Sequence, residues 1–285
     1  MNKFTLKSYF RFTRFTVSLS VTFSALTAYV IYIHKIDWQV LLPVTGVFLL
    51  SCGASALNQY QERKFDSKMA RTQCRPLPAN EISCSTALII SLLIISFGLI
   101  LLWIHAVRIS LLLGIFSILW YNFFYTILKR KTAFAIVPGS LTGTIPVFIG
   151  WTAAGGYIFD PIVIFLAFFI FIWQIPHFWL LLMRYGKEYN LAGLPSITNV
   201  FKTRQLKNMI FTWIIASCIF PLLFRLFAIV EGTSSTIALI TLILVFLSYF
   251  TLIFTGKTEI HFKKAFIGIN LFLIAVLVIL LIDHL

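Results

Sequence analysis

Charged residues are scarce in this chain, and acidic residues are the scarcer sign. Asp, Glu, Lys and Arg make up 11% of the 285 residues, and only 9 residues are acidic. An average soluble domain is roughly 25% charged, so the deficit excludes an ordinary soluble enzyme and a disordered protein. Hydrophobic residues make up 60% of the sequence and include 30 Phe and 7 Trp. A soluble fold of this length could not bury that much apolar surface, so the composition predicts an integral membrane protein.

Cysteine is also sparse. The four Cys residues contain no Cys-x-x-Cys pair, which excludes a disulfide-stapled secreted module and argues against a cysteine metal site. The formal net charge is +14, but it needs no nucleic-acid partner as its explanation. Basic residues are expected in the cytoplasmic loops of membrane proteins. We therefore expect no nucleic acid among the partners.

Long apolar runs are what the sequence does contain. A helix crosses the bilayer with about 20 predominantly apolar residues, and helices are the default because backbone groups in lipid must be hydrogen-bonded internally. Nine runs qualify, at 16–34, 38–57, 86–105, 109–128, 135–157, 161–183, 208–229, 235–255 and 265–283. We predict an all-α, polytopic membrane protein with about nine transmembrane helices, which forms a single domain over residues 1–285.

The basic residues predict the orientation of these helices. With the N-terminus in the cytoplasm, twenty Lys and Arg residues fall on the cytoplasmic side and only Lys35, Arg108 and Arg225 on the other. This asymmetry predicts a cytoplasmic N-terminus and a C-terminus on the opposite side. The short basic N-terminus favours a bacterial inner membrane over a mitochondrial one. Two long connections, at about 58–85 and 184–207, lie on the cytoplasmic side, where we expect the functional residues.

The first of these connections begins with three oxygen-bearing side chains. Asn58, Glu62 and Asp66 are spaced so that they share one helix face. Carboxylates suit Mg²⁺, and Arg71 and Arg75 carry forked donors that suit phosphate oxygens. The combination predicts a diphosphate site. The alternative is an ordinary helix end, whose basic residues only fix the membrane orientation.

Three further features leave two interpretations each. His177, flanked by Trp173 and Trp179, is either an interhelical hydrogen bonder or a contact for heme. Glu188 either joins the other carboxylates around a metal or forms a surface ion pair. The cations of Lys129–Lys131 either bind diphosphate or fix topology.

The chain resembles the UbiA superfamily of intramembrane prenyltransferases over essentially its full length. The stretches that carry the resemblance are Asn58–Asp66, Met69–Pro78, Tyr125–Thr132, Pro146–Trp151, Pro176–Trp179 and Tyr189–Pro195. Among them, Met-x-Arg-Thr-x-x-Arg-Pro-Leu and Pro-His-Phe-Trp are specific to the subfamily that farnesylates heme.

The resemblance implies helices bundled around a central cavity, in which Mg²⁺ holds the diphosphate of farnesyl diphosphate. It implies transfer of the farnesyl group to a vinyl group of heme B, which gives heme O. Other implied partners are the lipid bilayer and heme A synthase or the terminal oxidase assembly. The implied site residues are Asn58, Glu62, Asp66 and Glu188 for catalysis, the three carboxylates among them for the metal, Lys64, Arg71, Arg75, Lys129, Arg130, Lys187 and Tyr189 for diphosphate, and His177 for heme.

The acidic motifs depart from the family pattern. Where the first motif usually reads Asn-x-x-x-Asp-x-Asp-x-Asp, this chain has Glu62, Lys64 and Asp66, and Lys187 and Glu188 stand where the second has Asp-Asp. A Lys ammonium cannot ligate Mg²⁺ but can contact phosphate, so we expect fewer metal sites.

Three alternatives remain from the sequence. The chain could prenylate another acceptor, such as a quinone precursor or another tetrapyrrole, or it could be a non-catalytic heme- or lipid-binding relative. A transporter would have its polar residues on broken helices at mid-membrane, whereas here they cluster at one face.

Overall fold

The computed structural model describes residues 5–255 and 261–285, in which helices predominate and no strand occurs. The helices are α1 (Leu6–Phe12), α2 (Phe15–Ile33), α3 (Leu41–Asp66), α4 (Cys84–Ile104), α5 (Arg108–Ile118), α6 (Thr126–Leu128), α7 (Ile136–Gly139), α8 (Leu141–Ala153), α9 (Pro161–Leu191), α10 (Thr203–Ile219), α11 (Thr233–Thr255) and α12 (Phe262–Asp283). A π-helical segment, Leu119–Tyr125, joins α5 to α6.

The predicted membrane spans are confirmed. Within the described residues, nine helical segments are long and apolar enough to cross a membrane. They are Phe15–Ile33, Trp38–Asp66, Cys84–Ile104, Arg108–Leu128, Ala133–Ala153, Pro161–Leu191, Thr203–Arg225, Thr233–Thr255 and Phe262–Asp283. The chain is a multi-pass, all-α membrane protein. Two basic residues counted for the orientation, Lys3 and Lys257, lie outside the described residues.

The two long connections begin later than predicted. Helix α3 continues through Asp66 and α9 through Leu191, so the connections outside the α-helices shrink to about 67–83 and 192–202. For α3, the helix face shared by Asn58, Glu62 and Asp66 already predicted helix beyond the apolar run. For α9, the expectation was wrong because it ended the helix where the apolar run ended. The end of α3 is surrounded by protein and not by lipid, which buries three of its polar side chains: Asn58, Glu62 and Asp66.

Small residues allow the first helices to pack closely. A Cβ on Gly53 of α3 would lie 2.6 Å from the side chain of Ile95 on α4. A Cβ on Gly150 of α8 would collide with the backbone carbonyl of Ala25 on α2. Only glycine permits these backbone approaches. The contacts fix α3 and α8 as two walls of the bundle interior.

Helix α9 occupies the centre of the second half. Its residues Val163, Leu166 and Phe169 are fully buried, and the indole N–H of Trp173 donates to the Ile269 carbonyl of α12 at 2.7 Å. Large apolar side chains elsewhere face outward, such as Trp103, which is 69% exposed. In a bilayer those side chains contact lipid.

The turn between α1 and α2 is held against α3. The Gln59 side chain of α3 donates to the backbone carbonyls of Arg11 and Phe12 at 2.8 and 2.9 Å. Arg14 follows in a left-handed conformation, with φ 49° and ψ 48°, which costs a non-glycine residue about 1–2 kcal/mol. The fixed turn directs the chain so that Arg14 lies at the wall of the cavity inside the bundle.

Candidate active site

A cavity of about 600 Å³ lies inside the bundle. Helices α3 and α9 both run from one membrane face to the other along it, and each contributes wall residues over several turns. The cationic wall residues define the basic end of the cavity: Arg14, Arg71, Arg75 and Lys129. The rest of the wall mixes apolar and uncharged polar residues, and its apolar part is called the apolar chamber; it includes Val47, Leu50, Ile149, Ile170, Trp173 and Leu273. Along α9, Ile170 and Tyr189 are about 28 Å apart at the helical rise, so the two regions follow one another across the membrane.

One ion pair at the basic end joins the end of α3 to the connection that follows it. The Arg75 guanidinium lies 2.6 Å from the Asp66 carboxylate, and their side chains are 13% and 1% exposed. Burial and then the positive charge of Arg14 hold the pKa of Arg75 below its usual value, against the opposing effect of Asp66. A guanidinium stays charged regardless. Asp66 therefore fixes a permanent cation at the cavity wall.

A second ion pair joins α3 to the end of α6. Lys129 Nζ lies 2.6 Å from Glu62 Oε2 and 2.5 Å from Glu62 Oε1. Burial lowers the pKa of Lys129, but the Glu62 carboxylate outweighs it, so that the pKa is raised. The ammonium is therefore charged at neutral pH, and it lines the cavity while Glu62 lies behind it.

Arg14 is a wall residue that the sequence reasoning missed. It was counted only among the topology-setting charges, because it directly precedes the first span. Burial lowers the pKa of Arg14, but electrostatic interaction with the Tyr121 side chain and with the Glu62 and Asp66 carboxylates outweighs it, so the pKa is raised. The buried carboxylates of α3 thus stabilise a third cation at the basic end. No pattern in the sequence distinguishes this Arg from the other basic residues near it.

The connection after α3 is attached to α9 at Glu188. The Glu188 carboxylate accepts the backbone N–H of Arg71 at 2.9 Å, and the Arg71 guanidinium lies over the Tyr185 ring at 5.0 Å from its centroid. Arg71 and Tyr189 both line the cavity. Glu188 therefore positions the Arg71 backbone, which brings the first and second predicted motifs together.

Three of the predicted diphosphate residues do not line the cavity: Lys64, Arg130 and Lys187. All three are exposed. Arg130 donates to the Gln61 carbonyl at 3.0 Å and lies over the Phe65 ring, outside the cavity wall. Their predicted roles stay predictions. The other four predicted diphosphate residues line the cavity, and Arg14 joins them there: Arg71, Arg75, Lys129 and Tyr189.

The predicted metal ligands are buried or half-buried, but they are not preassembled. Among the residues that the structure describes, no group of three or more His, Cys, Asp or Glu side chains could hold a metal ion. Glu62 and Asp66 each face a cation instead. Among the described residues, the buried Asn58 Oδ1 has no hydrogen-bond partner, while Asn58 Nδ2 donates to Thr126. Hard oxygens of this kind suit Mg²⁺ shared with substrate phosphates, which needs only one or two protein carboxylates. The residues present fit a Mg²⁺ ion that binds together with a diphosphate.

The apolar chamber contains a small polar patch. His177 lines the chamber, between the rings of Trp173 and Phe266, each 4.8 Å away between centroids. Gln174 of α9 and Asn270 of α12 line it too. Sequence reasoning missed these two, although a signal was available, because an uncharged polar residue within an apolar span usually has a specific role.

The whole arrangement suits a lipid diphosphate. Four cations face the cavity at one end, and the two buried carboxylates behind them neutralise only part of that charge. The remaining positive charge favours a multiply charged anion. The apolar chamber next to it offers an apolar environment for a hydrocarbon chain. Tyr121 and Tyr125 of the π-helical segment also line the cavity, and Lys129 lies over the Tyr125 ring. π-helical segments of this kind occur often at functional sites.

Comparisons with known proteins agree with this geometry. Residues 18–281 match the model of the UbiA prenyltransferase family. The protoheme IX farnesyltransferase of Nitratidesulfovibrio vulgaris is 31% identical over 273 residues, which cover 95% of this chain and 93% of that protein. The protein of the same name from Cytophaga hutchinsonii is 34% identical over 84% of this chain and 85% of its own length. The one from Geobacter sulfurreducens is 41% identical over 58% of this chain and 60% of its own length.

Solved structures with the same fold are more distant in sequence. A structure described in a study of digeranylgeranylglyceryl phosphate synthase superposes with a TM-score of 0.76 at 16% identity and covers 100% of this chain and 99% of its own. A UbiA homolog from Archaeoglobus fulgidus, bound to GPP and Mg²⁺, gives a TM-score of 0.66 at 14% identity over 96% of this chain and 99% of its own. These likenesses show the fold, and the resemblance expected from the sequence motifs is confirmed. The chain belongs to the UbiA prenyltransferase family.

Proposed function

We propose that this chain transfers the farnesyl group of farnesyl diphosphate to a vinyl group of heme B, which gives heme O. The observation that carries the proposal is a basic end that joins an apolar chamber inside one cavity. Relatives that match most of the chain are protoheme IX farnesyltransferases, which supports farnesyl diphosphate and heme as the substrates.

The first step is departure of diphosphate. The guanidinium groups of Arg71, Arg75 and Arg14 and the ammonium of Lys129 face the position that the diphosphate would occupy. Fixed positive charge stabilises the leaving group as the allylic C–O bond breaks, because the negative charge on the diphosphate grows in that step. Tyr189, in the same wall, supplies a hydroxyl donor.

Mg²⁺ is part of the proposal, since a UbiA homolog has been solved with GPP and Mg²⁺. Glu62, Asp66 and Glu188 are the proposed protein ligands, with Asn58 Oδ1 as a neutral oxygen beside them. When bound, the ion would neutralise diphosphate charge. The ion pairs of Glu62 and Asp66 with Lys129 and Arg75 are the contacts with which such an ion would compete.

The second step joins the two substrates. The allylic cation accepts the electron pair of the heme vinyl group, a new C–C bond forms, and a cation remains on the vinyl carbon next to the porphyrin. Addition of water to that carbon and loss of one proton give the hydroxyl of heme O. We propose His177 as a heme contact, because its ring faces the chamber between Trp173 and Phe266. The apolar walls otherwise exclude water from the cations.

The decisive experiment is a product assay on membranes that contain this chain. Heme B, farnesyl diphosphate and Mg²⁺ are supplied, with a parallel sample in EDTA, and hemes are analysed by mass spectrometry. Heme O that requires Mg²⁺ is the expected result. Formation of heme O in the presence of EDTA would contradict only the assignment of Glu62, Asp66 and Glu188 as metal ligands. Absence of heme O would contradict the proposal, and quinone precursors or other tetrapyrroles would then be tested as acceptors.

We further propose residence in a bacterial inner membrane with the N-terminus in the cytoplasm, and association with heme A synthase or the terminal oxidase assembly. Cys74 and Cys84 are exposed, in the connection after α3 and at the start of α4, whereas Cys52 and Cys218 are buried. In a Cys84→Ser background, an impermeant maleimide should therefore label Cys74 in inside-out vesicles and not in right-side-out ones, with the further change Cys74→Ser as the control. The reverse pattern would contradict the orientation. Co-purification tests the association.

A further inference from the structure

Two buried polar atoms in the apolar chamber have no hydrogen-bond partner among the described residues. They are Gln174 Oε1 and His177 Nδ1, which lie three residues apart on α9 and therefore on neighbouring positions of one helix face. Buried polar atoms without a partner are uncommon and costly, and in a polar pocket with enough room they are usually satisfied by water. The patch is thus a place for a water molecule, whereas wall hydroxyls such as Ser20, Ser24 and Thr142 already donate to nearby backbone carbonyls.

The hydrogen bond of Asn270 bears on what His177 can offer. Asn270 Nδ2 donates to the Phe266 carbonyl at 2.5 Å, which leaves the amide oxygen of Asn270 to accept a hydrogen bond. Asn270 and His177 both line the chamber, and an acceptor oxygen beside the ring favours the tautomer with its hydrogen on Nε2. In that tautomer Nδ1 is the unprotonated ring nitrogen that accepts.

The amide of Gln174 is held by the helix it faces. Gly143 of α8 lies against it, and a Cβ on Gly143 would collide with all three atoms of the carboxamide group. The missing side chain of Gly143 therefore makes the space in which the amide of Gln174 sits. This packing orders the amide with no hydrogen bond to the protein.

We propose that Gln174 and His177 position the water molecule that completes the reaction. The inference rests on the proposed function, whose product contains one hydroxyl derived from water. A water that donates one hydrogen to Gln174 Oε1 and the other to His177 Nδ1 keeps its lone pair free to face the substrate. The lone pair forms the C–O bond to the vinyl-derived cation. One proton leaves that oxygen, and the released diphosphate takes it up.

Without a positioned water the same cation has a second outcome. It loses a proton from the adjacent carbon, which leaves a farnesylated heme with an additional C=C bond in place of the hydroxyl. That product is lighter than heme O by one water. The ratio of the two products therefore reports the placement of water separately from the overall rate.

The test compares product ratios in wild type, Gln174→Met and Thr142→Val. Thr142 is the matched control, since it also lines the cavity but its hydroxyl already donates to the Gly139 carbonyl at 2.7 Å. Gln174→Met should raise the ratio of dehydrated product to heme O by about five- to tenfold, the effect of one neutral hydrogen bond. Thr142→Val should leave the product ratio unchanged. In water labelled with ¹⁸O, the hydroxyl of heme O should carry the label.

An unchanged ratio in Gln174→Met, or an equal rise in Thr142→Val, would overturn the inference. If the Gln174→Met variant does not accumulate in membranes, the Gly143→Ala variant tests the inference instead. Its added methyl group displaces the amide of Gln174 without changing residue 174. A raised ratio there supports the inference and an unchanged one overturns it. If wild type forms no farnesylated heme at all, the proposed function itself has failed, which this design distinguishes from a failure of Gln174.

Discussion

At the basic end of the cavity, the buried carboxylates Glu62 and Asp66 each have a cationic partner within 2.6 Å. In the apolar chamber, within the part of the chain that the structure describes, Gln174 Oε1 and His177 Nδ1 have no partner in the protein. This difference follows from the free-energy cost of leaving each kind of group unpaired in the protein interior. A buried charge without a partner costs several kcal/mol, whereas a neutral acceptor costs about 1–3 kcal/mol and can take water instead. The carboxylates of the basic end are therefore paired by the protein itself, whereas neutral acceptors, Asn58 Oδ1 beside them included, are left for other molecules.

The largest effect should come from removing a charge from the basic end. Asp66→Asn leaves Arg75 buried without its partner, so we expect the free energy of unfolding to fall by about 3 kcal/mol. The matched control is Glu81→Gln, which breaks the more exposed pair of Glu81 with Arg11 and should cost less than about 1 kcal/mol. Unfolding of the purified protein in detergent measures both. Equal losses would mean that burial does not decide the strength of these pairs.

The next effect separates wall cations from cations that only neighbour the wall. Lys129 lines the cavity and Arg130 does not, although the two are adjacent in sequence. Lys129→Met should lower kcat/KM for farnesyl diphosphate about 100-fold, as for loss of one preorganised group at a developing anion.

The control for Lys129 is its neighbour. Arg130→Met should change kcat/KM by less than about threefold, as expected for an exposed charge, and Lys129→Arg should restore much of the activity because it keeps the charge beside Glu62. If Arg130→Met were as harmful as Lys129→Met, the cavity wall would not be what defines the diphosphate site.

A smaller effect is expected at Arg14. Its charge reaches the cavity from the turn before α2, so Arg14→Gln should raise KM for farnesyl diphosphate about tenfold, the value of one charge-assisted contact. Arg11→Gln is the control on the same turn, since Arg11 pairs with Glu81 outside the cavity. Steady-state kinetics at fixed heme concentration measure both. A kcat loss without a KM change at Arg14 would contradict a role in substrate binding.

The sequence predicted the helices better than it predicted the wall. Apolar runs specify spans because lipid imposes that requirement on every helix, and spacing on one helix placed Asn58 in the wall. Which cations reach the cavity depends on turns between helices, so Arg14 was missed while exposed Lys64 was included. Gln174 was available as a signal, since a lone polar residue in an apolar span is unusual. Its partner position at Gly143 is a tertiary contact, and no local pattern predicts it.

The smallest effect concerns Glu81, whose ion pair attaches α1 to the connection after α3. Hydrogen bonds from Ser8 and the charge of Arg11 hold the pKa of Glu81 below its usual value. A lowered carboxyl pKa adds stability that is complete above the ordinary value and is lost as pH falls through the lowered one. Hydrogen exchange in Leu6–Phe12, corrected for the intrinsic rate, should therefore rise a few-fold below about pH 4, with α12 as the internal reference. In Glu81→Gln, exchange in this segment should be faster already at neutral pH and should change little on acidification. An unaltered pH response in that variant would show that another group anchors α1.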